Sequence, residues 1–245
     1  MVIFLIAFVL LLVIGVPISI SIGASAVLGC LSLGYPLVVI GQKMVSGIDS
    51  FLLIAVPLFI LAGNLMNAGK ITEKIFDTAK ELVGWIPGGL GHANVVASII
   101  FAGMSGSAVA DAGGLGAIEM EAMKKNGYDE DFAGAVTAAS SVIGPIFPPS
   151  IPLIIYGSVA SVSVDQLFMG GVVPGLLMGV LLMVMVLYFA IVRRYERHPF
   201  RLRALIRQFL GSIPALITPV IILCGFVVGW FTPTEASSIA LSTPC

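Results

Sequence analysis

The sequence contains little charge. Among its 245 residues, 12 are Lys or Arg and 13 are Asp or Glu, so charged side chains make up only 10% of the chain. A soluble globular domain carries about a quarter charged residues, and this chain could not keep a surface of its size in water. The near balance of the two signs also excludes nucleic acid as a partner, because phosphate binding needs net positive charge. The sequence therefore predicts an integral membrane protein.

Cysteine is also scarce, with three residues in the chain. No CxxC and no mixed Cys/His spacing occurs, so neither a disulfide framework nor a zinc site is indicated. The first residues, Met1 to Ile14, lack the basic segment and the small-residue cleavage site of a signal peptide. They are typical of the start of a membrane span.

Apolar runs of membrane-span length follow one another along the chain. They do not alternate apolar and polar residues, which excludes an outer-membrane barrel and predicts an all-α, polytopic membrane protein. The first run fits either one long span kinked near Gly15–Pro17 or two short spans. The runs are residues 1–40, 51–68, 90–118, 131–163, 168–192 and 212–231.

The basic residues predict the topology, because Lys and Arg collect on the cytoplasmic side. Only the run 90–118 separates Lys80 from Lys124, so a single crossing would place these two residues on opposite sides. The middle of this run, FAGMSGSAVADAGGLG, favours a re-entrant hairpin over an ordinary glycine-rich span. With a hairpin, every basic residue except Lys43 faces the cytoplasm. These residues are Lys70, Lys74, Lys80, Lys124, Lys125, Arg193, Arg194, Arg197, Arg201, Arg203 and Arg207.

Residues 70–83 combine apolar residues at helical spacing with opposite charges three residues apart. This pattern predicts an amphipathic helix that lies in the membrane interface, with a solvated loop helix as the alternative. Farther along, Gly171, Gly175 and Gly179 repeat every four residues. Small residues at this spacing predict a face for close helix packing.

The run 131–163 is longer than one straight span of about 20 residues. Its centre, GPIFPPSIP, contains Pro145, Pro148, Pro149 and Pro152. Each proline removes a backbone donor and clashes with the preceding turn, so the helix is expected to break there. Backbone groups freed inside a membrane need protein, water or a ligand as partners.

A re-entrant hairpin followed by a broken helix is typical of elevator-type secondary transporters. The amino ends of half-helices attract carboxylates, and unwound carbonyls with Ser hydroxyls suit a hard cation such as Na⁺. The hairpin tip offers Gly103, Ser105, Gly106 and Ser107, and the break offers residues 144–150. Asp111 is the one acid that this reading places deep inside an apolar run, as a cation ligand or as a helix cap.

Four segments in consistent order resemble the large membrane subunit of the tripartite ATP-independent periplasmic (TRAP) transporters, the DctM-like family. The resemblance covers about residues 1–240, and its hairpin and GPIFPPS motifs are the specific ones. The segments are PLFILAGNLMNAGKI (57–71), FAGMSGSAVADAGGLG (101–116), IGPIFPPSIPLIIYG (143–157) and GWFTPTEAS (229–237).

The resemblance implies a secondary active transporter subunit and no enzyme. Such subunits import a small organic anion, for example a C4-dicarboxylate or sialic acid, across the bacterial inner membrane with co-transported Na⁺. They work with a small four-helix membrane subunit and a periplasmic substrate-binding protein. Two inverted repeats are implied, each with a hairpin and a broken helix. On this chain, residues 1–86 correspond to scaffold spans and the interfacial helix, 87–165 to the transport-domain hairpin and broken helix, and 166–245 to further spans.

Matched residue by residue, the resemblance also implies the site. It places Na⁺ ligands at Gly103, Ser105, Gly106, Ser107, Gly144 and Pro148. It places substrate contacts at Ser107, Ala108, Pro149 and Ser150. The chain departs from the family in length, since it stops after the FTPTEA motif that opens the second repeat. We therefore expect an N-terminal part of such a subunit that does not transport alone.

Two other functional classes fit the sequence less well. An intramembrane enzyme needs paired acids or a Ser/His pair, and neither His92 nor His198 has a partner at such a spacing. A channel uses repeated filter loops or charged rings, and only one glycine-rich loop is present.

Overall fold

The computed structural model describes residues 2–69, 71–195, 202–228 and 230–242. Within these residues the chain is helical and has no β-strand, which confirms the predicted all-α class. A short 3₁₀ turn, Phe51–Ile54, precedes α4, and a π-helical turn, Asp111–Leu115, joins α7 to α8. The helices are α1 (Val2–Val13), α2 (Ile18–Ser32), α3 (Val38–Ile48), α4 (Ala55–Ala68), α5 (Ile71–Val83), α6 (Gly89–Ser105), α7 (Ala108–Ala110), α8 (Gly116–Lys125), α9 (Glu130–Ser141), α10 (Ile151–Ala160), α11 (Val164–Arg193), α12 (Leu202–Val228) and α13 (Pro233–Ser242).

Two helical segments of the described chain are long and apolar enough to cross a membrane, Phe51–Ala68 and Val164–Arg193. The second of these, α11, carries an outward row of apolar side chains. Val173, Leu177 and Val184 are each more than half exposed. Apolar surface of this extent is unfavourable in water and indicates contact with lipid.

The chain divides into two compact units, Met1–Ser50 and Phe51–Cys245. In the first unit the chain turns between α1 and α2 at Gly15, which has a φ of 85°. The two helices pack together, and a Cβ added at Gly29 would lie 3.4 Å from the Cβ of Phe4. The structure therefore selects two helices over one long kinked helix for the first apolar run.

The second unit contains the hairpin and the broken helix. One group of buried side chains joins α5, α6, α8, α9 and α11, and includes Phe101, Leu115, Met123 and Ile143. A smaller group joins α4 to α10, α11 and α13, where Phe59 is buried with Ile154, Phe168 and Ala236. These two groups hold the helices on either side of the candidate site described below.

The predicted amphipathic helix is α5. Its buried face includes Ile75, Phe76 and Ala79, and it packs against α6 and α12. Thr78 Oγ1 donates a hydrogen bond of 2.7 Å to Ser212 Oγ on α12. The helix is therefore attached to the membrane segments and is no solvated loop helix.

Both ends of the helical hairpin lie at one end of α11. Gly88 and Gly91, at the start of α6, pack against Ala190 and Val186. At the other end of the hairpin, the loop after α8 is attached through Asp129, which pairs with Arg193 and accepts a hydrogen bond of 3.0 Å from the Tyr195 hydroxyl. Lys124 and Arg193 thus share one end, as the charge pattern predicts. Lys70, Arg197 and Arg201 lie outside the described residues.

Candidate functional site

The tip of the hairpin is a turn between two helices. Gly106 ends α6 with a φ of 58°, a left-handed conformation that favours glycine. The next residue, Ser107, starts the second helix, because its Oγ accepts a hydrogen bond of 3.3 Å from the N–H of Ala110. A hydrogen-bonded turn therefore forms where the glycine-rich sequence predicts it.

The proline-rich segment breaks the helix, as its sequence predicts. The first half, α9, ends at Ser141, and the second half, α10, begins at Ile151. Ser150 caps α10, because its Oγ accepts a hydrogen bond of 3.2 Å from the N–H of Leu153. The same hydroxyl donates to the carbonyl oxygen of Pro145, which connects the two sides of the break.

The hairpin tip rests directly on this break. The N–H of Ile151 donates a hydrogen bond of 3.3 Å to the carbonyl oxygen of Gly106, and a Cβ added at Gly106 would collide with the carbonyl of Pro149. A Cβ added at Gly144 would lie 3.3 Å from the carbonyl carbon of Ser107. The two backbones approach each other so closely that a side chain is excluded at Gly106, and one at Gly144 would force its neighbour to shift by a few tenths of an ångström.

The glycine face of α11 holds the break from the other side. A Cβ at Gly171 would collide with the carbonyl oxygen of Ile146, and one at Gly175 would lie 3.0 Å from the Phe147 ring. The third glycine, Gly179, faces Ile99 of α6. The predicted close packing of this face is confirmed, and its partners are the break and the hairpin.

The structure brings most of the predicted site residues to one place. Gly106, Ser107 and Ala108 of the tip meet Gly144, Pro149 and Ser150 of the break. Pro148 is buried beside Pro149, while Gly103 is buried within the last turn of α6. Ser105 differs from the others, because its side chain packs on Gly63 of α4, where a Cβ would lie 3.5 Å from the Ser105 Cβ. Its hydroxyl is buried without a hydrogen-bond partner.

A cavity of about 400 Å³ lies between α4 and the hairpin tip. Its polar lining consists of Asn64 and Asn67 of α4 with Ser105 and Ser107 of the tip. Asn67 is held in place, because its Oδ1 accepts a hydrogen bond of 2.6 Å from Thr72 Oγ1. This volume is in the range of pockets that bind small molecules.

The two Asn residues belong to the GNLMNAG motif, for which the sequence suggests no role. The signal that could have identified them is two amides in an apolar run. They lie three residues apart on α4, so they share a face of the helix.

Two helix amino ends converge where the tip meets the break, but only one keeps free donors. In the first turn of α10, Ile151 donates to Gly106 and Leu153 to Ser150, while Pro152 has no N–H. The second hairpin helix begins with Ala108 and Val109. Their N–H groups donate no hydrogen bond to any acceptor in the described part of the chain. Free amides at a helix amino end attract anions, so the hairpin side is the better anchor for a carboxylate.

Two acids are buried in the second half of the hairpin. Asp111 is 1% exposed and Glu119 is 0% exposed, and none of their four carboxyl oxygens has a hydrogen-bond partner. The capping position belongs to Ser107 rather than to Asp111. The sequence does not single out Glu119 as a buried acid. Glu121, Lys124 and Lys125 follow it closely, and such a cluster of charged residues is typical of a helix exposed to water.

The π-helical turn explains why both acids are buried. Residues eight apart on a regular α-helix lie about 80° apart around the axis. The π turn Asp111–Leu115 takes up one extra residue. Asp111 and Glu119 therefore lie at the angle around the helix axis that residues seven apart would have on a regular α-helix, about 20°. The two carboxyl groups therefore share one face, and the charge of Asp111 acts on Glu119.

Comparison with known proteins is consistent with this geometry. Residues 5–243 match the family model described as the tripartite ATP-independent periplasmic transporter, DctM component. The chain is 50% identical over 200 residues to the sialic acid TRAP transporter large permease protein SiaM of Vibrio cholerae, covering 81% of this chain and 47% of that protein.

More distant relatives differ in what their names say they carry. The C4-dicarboxylate TRAP transporter large permease protein DctM of Vibrio cholerae is 37% identical, over 94% of this chain and 51% of its own length. The 2,3-diketo-L-gulonate TRAP transporter large permease protein YiaN of Escherichia coli is 42% identical, over 82% of this chain and 48% of its own length. The chain spans about half the length of these relatives.

Proposed function

The chain belongs to the DctM component family of the tripartite ATP-independent periplasmic transporters, and we propose that it acts in the Na⁺-driven import of a small organic anion. Its relatives are permeases and not enzymes. Family members are integral membrane proteins, and the apolar outer face of α11 agrees with that. The protein acts in the bacterial inner membrane, as a multi-pass subunit in which the hairpin is re-entrant.

The observation that supports this proposal is the direct contact of the hairpin tip with the proline break, next to a cavity lined by polar side chains. The N–H groups of Ala108 and Val109 anchor the carboxylate, and the amides of Asn64 and Asn67 bind polar groups of the substrate from the opposite wall. Neutral donors suit this task, because they bind an anion without a fixed buried charge that would oppose its release.

The Na⁺ ligands in this proposal lie at the tip and the break. Ser105 contributes its unpartnered hydroxyl, and the backbone of Gly106 and of residues 144–148 contributes oxygen atoms. Gly103, in the last turn of α6, and Ser107 are the further Na⁺ ligands that the resemblance implies. Substrate contacts in this proposal come from Ser107 and Ala108, and from Pro149 and Ser150 of the break, although of these four residues only Ser107 lines the cavity. Na⁺ is a co-transported substrate here, so binding of the ion and of the anion at adjacent positions supports their coupling.

The substrate is a carboxylate of the kind that the relatives' names specify, sialic acid or a C4-dicarboxylate. A small membrane subunit and a periplasmic binding protein deliver it. The tip and the break are the parts that move together in an elevator-type cycle, because backbone atoms make the contacts between them.

The test is uptake into proteoliposomes that contain a full-length large subunit that includes this chain, together with a small TRAP membrane subunit and a periplasmic binding protein. Radiolabelled sialic acid and succinate are compared with and without an inward Na⁺ gradient. Ser107→Ala is expected to lower uptake at least tenfold. The matched control is Ser163→Ala, which removes the N-cap of α11 at a residue that does not line the cavity, and it should retain uptake within about twofold.

Uptake that ignores Na⁺ would contradict the coupling. Equal losses in the two Ser variants would contradict the position of the site, because both changes remove a helix cap and only one lies at the cavity. Ser105→Ala separates the ion from the anion, since it is expected to raise the Na⁺ concentration needed for half-maximal uptake more than the substrate concentration.

A further inference from the structure

A second cavity, of about 330 Å³, lies between α5, α6 and α12 and reaches Phe147 of the break. It shares no lining residue with the cavity beside the hairpin tip. Its lining side chains are apolar except that of Thr78. The function proposed above gives this cavity no role, so its occupant has to be argued from its own chemistry.

The hydroxyl of Thr78 is already engaged. Thr78 Oγ1 lies 2.7 Å from the Lys74 carbonyl oxygen and 2.7 Å from Ser212 Oγ, and Ser212 Oγ lies 3.3 Å from the same carbonyl oxygen. The two hydroxyl hydrogens therefore have acceptors within this group of three oxygen atoms. The cavity offers no free hydrogen bond to a polar solute, and water is not held where polar partners are missing.

The cavity is elongated along α12. Its lining residues on this helix are Leu205, Phe209, Leu216 and Val220. At a rise of 1.5 Å per residue, the first and the last of them are about 22 Å apart along the helix axis. The hydrocarbon core of a bilayer is about 30 Å thick, so the chains of one leaflet extend over about 15 Å. The cavity is therefore a slot long enough for one extended acyl chain.

One side of the slot is open to the surroundings. Leu82, Phe209 and Val220 are each about half exposed, whereas Ala79 and Phe147 are buried. In a membrane protein such an apolar opening faces hydrocarbon chains. The side chains around an unfilled slot would lose dispersion contacts, and a flexible chain that enters from the bilayer restores them.

The first turns of α12 carry the charge that the headgroup of an anionic lipid needs. Arg207 lies between Leu205 and Phe209 in the sequence, and its side chain is exposed. It takes part in none of the ion pairs found among the described residues. Basic residues at this end of α12 are predicted to face the cytoplasm, where anionic lipids attract them. A long Arg side chain extends to the headgroups from a helix that lies deeper.

We propose that the slot binds one acyl chain of an anionic glycerophospholipid, with the lipid phosphate near Arg207 and the chain lying along α12 against Phe147. The chain also contacts Ile99. The other sides of these two side chains pack on α11, Phe147 against Gly175 and Ile99 against Gly179. The bound lipid thus keeps the break and the hairpin packed on the glycine face of α11.

This site does not depend on the proposed import function. It requires that the chain lies in a membrane, and it involves neither the anion cavity nor the Na⁺ ligands at the tip. Its test therefore measures contact with lipid directly, without uptake as the readout.

The experiment uses a full-length large subunit that includes this chain, in nanodiscs of phosphatidylglycerol and phosphatidylcholine. A trace of phosphatidylglycerol with a diazirine at the end of one acyl chain is photoactivated, and the labelled residues are identified by mass spectrometry. Labelling of Ile99, Ile100 or Phe147 reports a chain inside the slot. Labelling of Val184, on the exposed face of α11, reports lipid of the surrounding bilayer.

Leu216→Trp fills the slot. It is expected to lower labelling of Phe147 at least fivefold, while labelling of Val184 stays within about twofold. The matched control is Leu181→Trp, which makes the same change on the exposed face of α11 and should leave Phe147 labelled. If Leu216→Trp does not fold, Val220→Trp takes its place with Val180→Trp as its control, because these two valines are 55% and 56% exposed.

Arg207→Gln tests the headgroup. It is expected to lower labelling of Phe147 by the phosphatidylglycerol probe severalfold and to leave labelling by a phosphatidylcholine probe with the same chain within about twofold. Lys125→Gln, at the exposed end of α8, should change neither. Equal labelling by both probes in the unchanged protein and in Arg207→Gln would overturn the preference for an anionic lipid.

Three outcomes would overturn the slot itself. The first is labelling of Val184 without labelling of Ile99, Ile100 or Phe147, which is the result expected if another protein segment covers the slot. The second is unchanged labelling of Phe147 in the variant that fills the slot. The third is an equal loss in that variant and in its control on α11.

Discussion

The carbonyl oxygen of Gly106 accepts a hydrogen bond from the N–H of Ile151, across an N···O distance of 3.3 Å. This bond connects the turn of the hairpin to the first residue of α10. It uses a donor that a helix amino end would otherwise leave free. At this point the contact between hairpin and break is made by backbone atoms, and a side chain at Gly106 would collide with the carbonyl of Pro149.

Gly106→Ala is therefore expected to disrupt the contact. The alanine is disfavoured at a φ of 58° by roughly 1–2 kcal/mol, and its Cβ collides with the carbonyl of Pro149. Uptake should fall at least tenfold, and the thermal unfolding midpoint should fall with it.

The control for this change is Gly127→Ala. Gly127 also has a left-handed φ, of 79°, but no atom lies within 4 Å of an added Cβ. It reports the conformational strain alone, so uptake should stay near that of the unchanged protein. A similar loss in both variants would show that strain, and not the contact with the break, explains the effect.

Gly171 and Gly170 form a second matched pair, on α11. A Cβ at Gly171 meets the Ile146 carbonyl, while one at Gly170 meets nothing within 4 Å. Gly171→Ala should destabilise the protein by about 1–3 kcal/mol, since the break is forced away from the helix. Gly170→Ala should be neutral or slightly stabilising, because alanine favours the helix. Denaturant unfolding measures both, and equal stabilities would contradict the packing described here.

Substitutions of Asn64 and Thr72 distinguish an effect on substrate binding at the cavity from an effect on protein stability. Asn64 is exposed at the cavity wall, so Asn64→Ala should raise the substrate KM for uptake severalfold with little change in stability. Thr72→Val removes the hydrogen bond to Asn67 and should lower the free energy of unfolding by about 1 kcal/mol. A change in stability without a change in KM for Asn64→Ala would argue against the cavity as the substrate site.

Tyr128, in the loop between α8 and α9, should make stability depend on alkaline pH. Burial raises the pKa of its hydroxyl to about 12. A raised pKa in the folded state means that the stabilisation is fully present below the ordinary value of 10 and is lost as the pH rises through 12. The unfolding midpoint should fall over this window, and Tyr128→Phe should remove that part of the fall. An identical alkaline profile in Tyr128→Phe would exclude this residue as the cause.

Local chemistry in the sequence predicted several elements correctly. The prolines 145, 148, 149 and 152 each act on their own turn of backbone, so the break between α9 and α10 could be predicted. The glycines of the hairpin and of α11 likewise act through backbone that lies close in sequence or on one helix face. The functional division of the chain at residues 86 and 165 stays a prediction.

Other features depend on contacts between distant segments. Asn67 lines the cavity because α4 packs beside the hairpin, and no pattern within 57–71 specifies that neighbour. Glu119 is buried because the π turn rotates the helix, and a regular period places it on the solvated side. Ser98 of α6 reaches Ser140 of α9 only after these two helices have packed. The residue types can be read from the sequence, but which of them come into contact depends on how the helices pack.

The attachment of α11 at two levels has a mechanical consequence. Val186 and Ala190 contact the first residues of the hairpin, and Gly171 contacts the break, about 22–28 Å away along the helix. Hairpin, break and α11 thus form a braced frame that resists hinging between its members. The opposite wall of the cavity, α4, is buried against the same frame, because Phe59 packs with Ile154 of α10 and Phe168 of α11. A change in the width of the cavity would therefore require this apolar contact between α4 and the frame to repack as well.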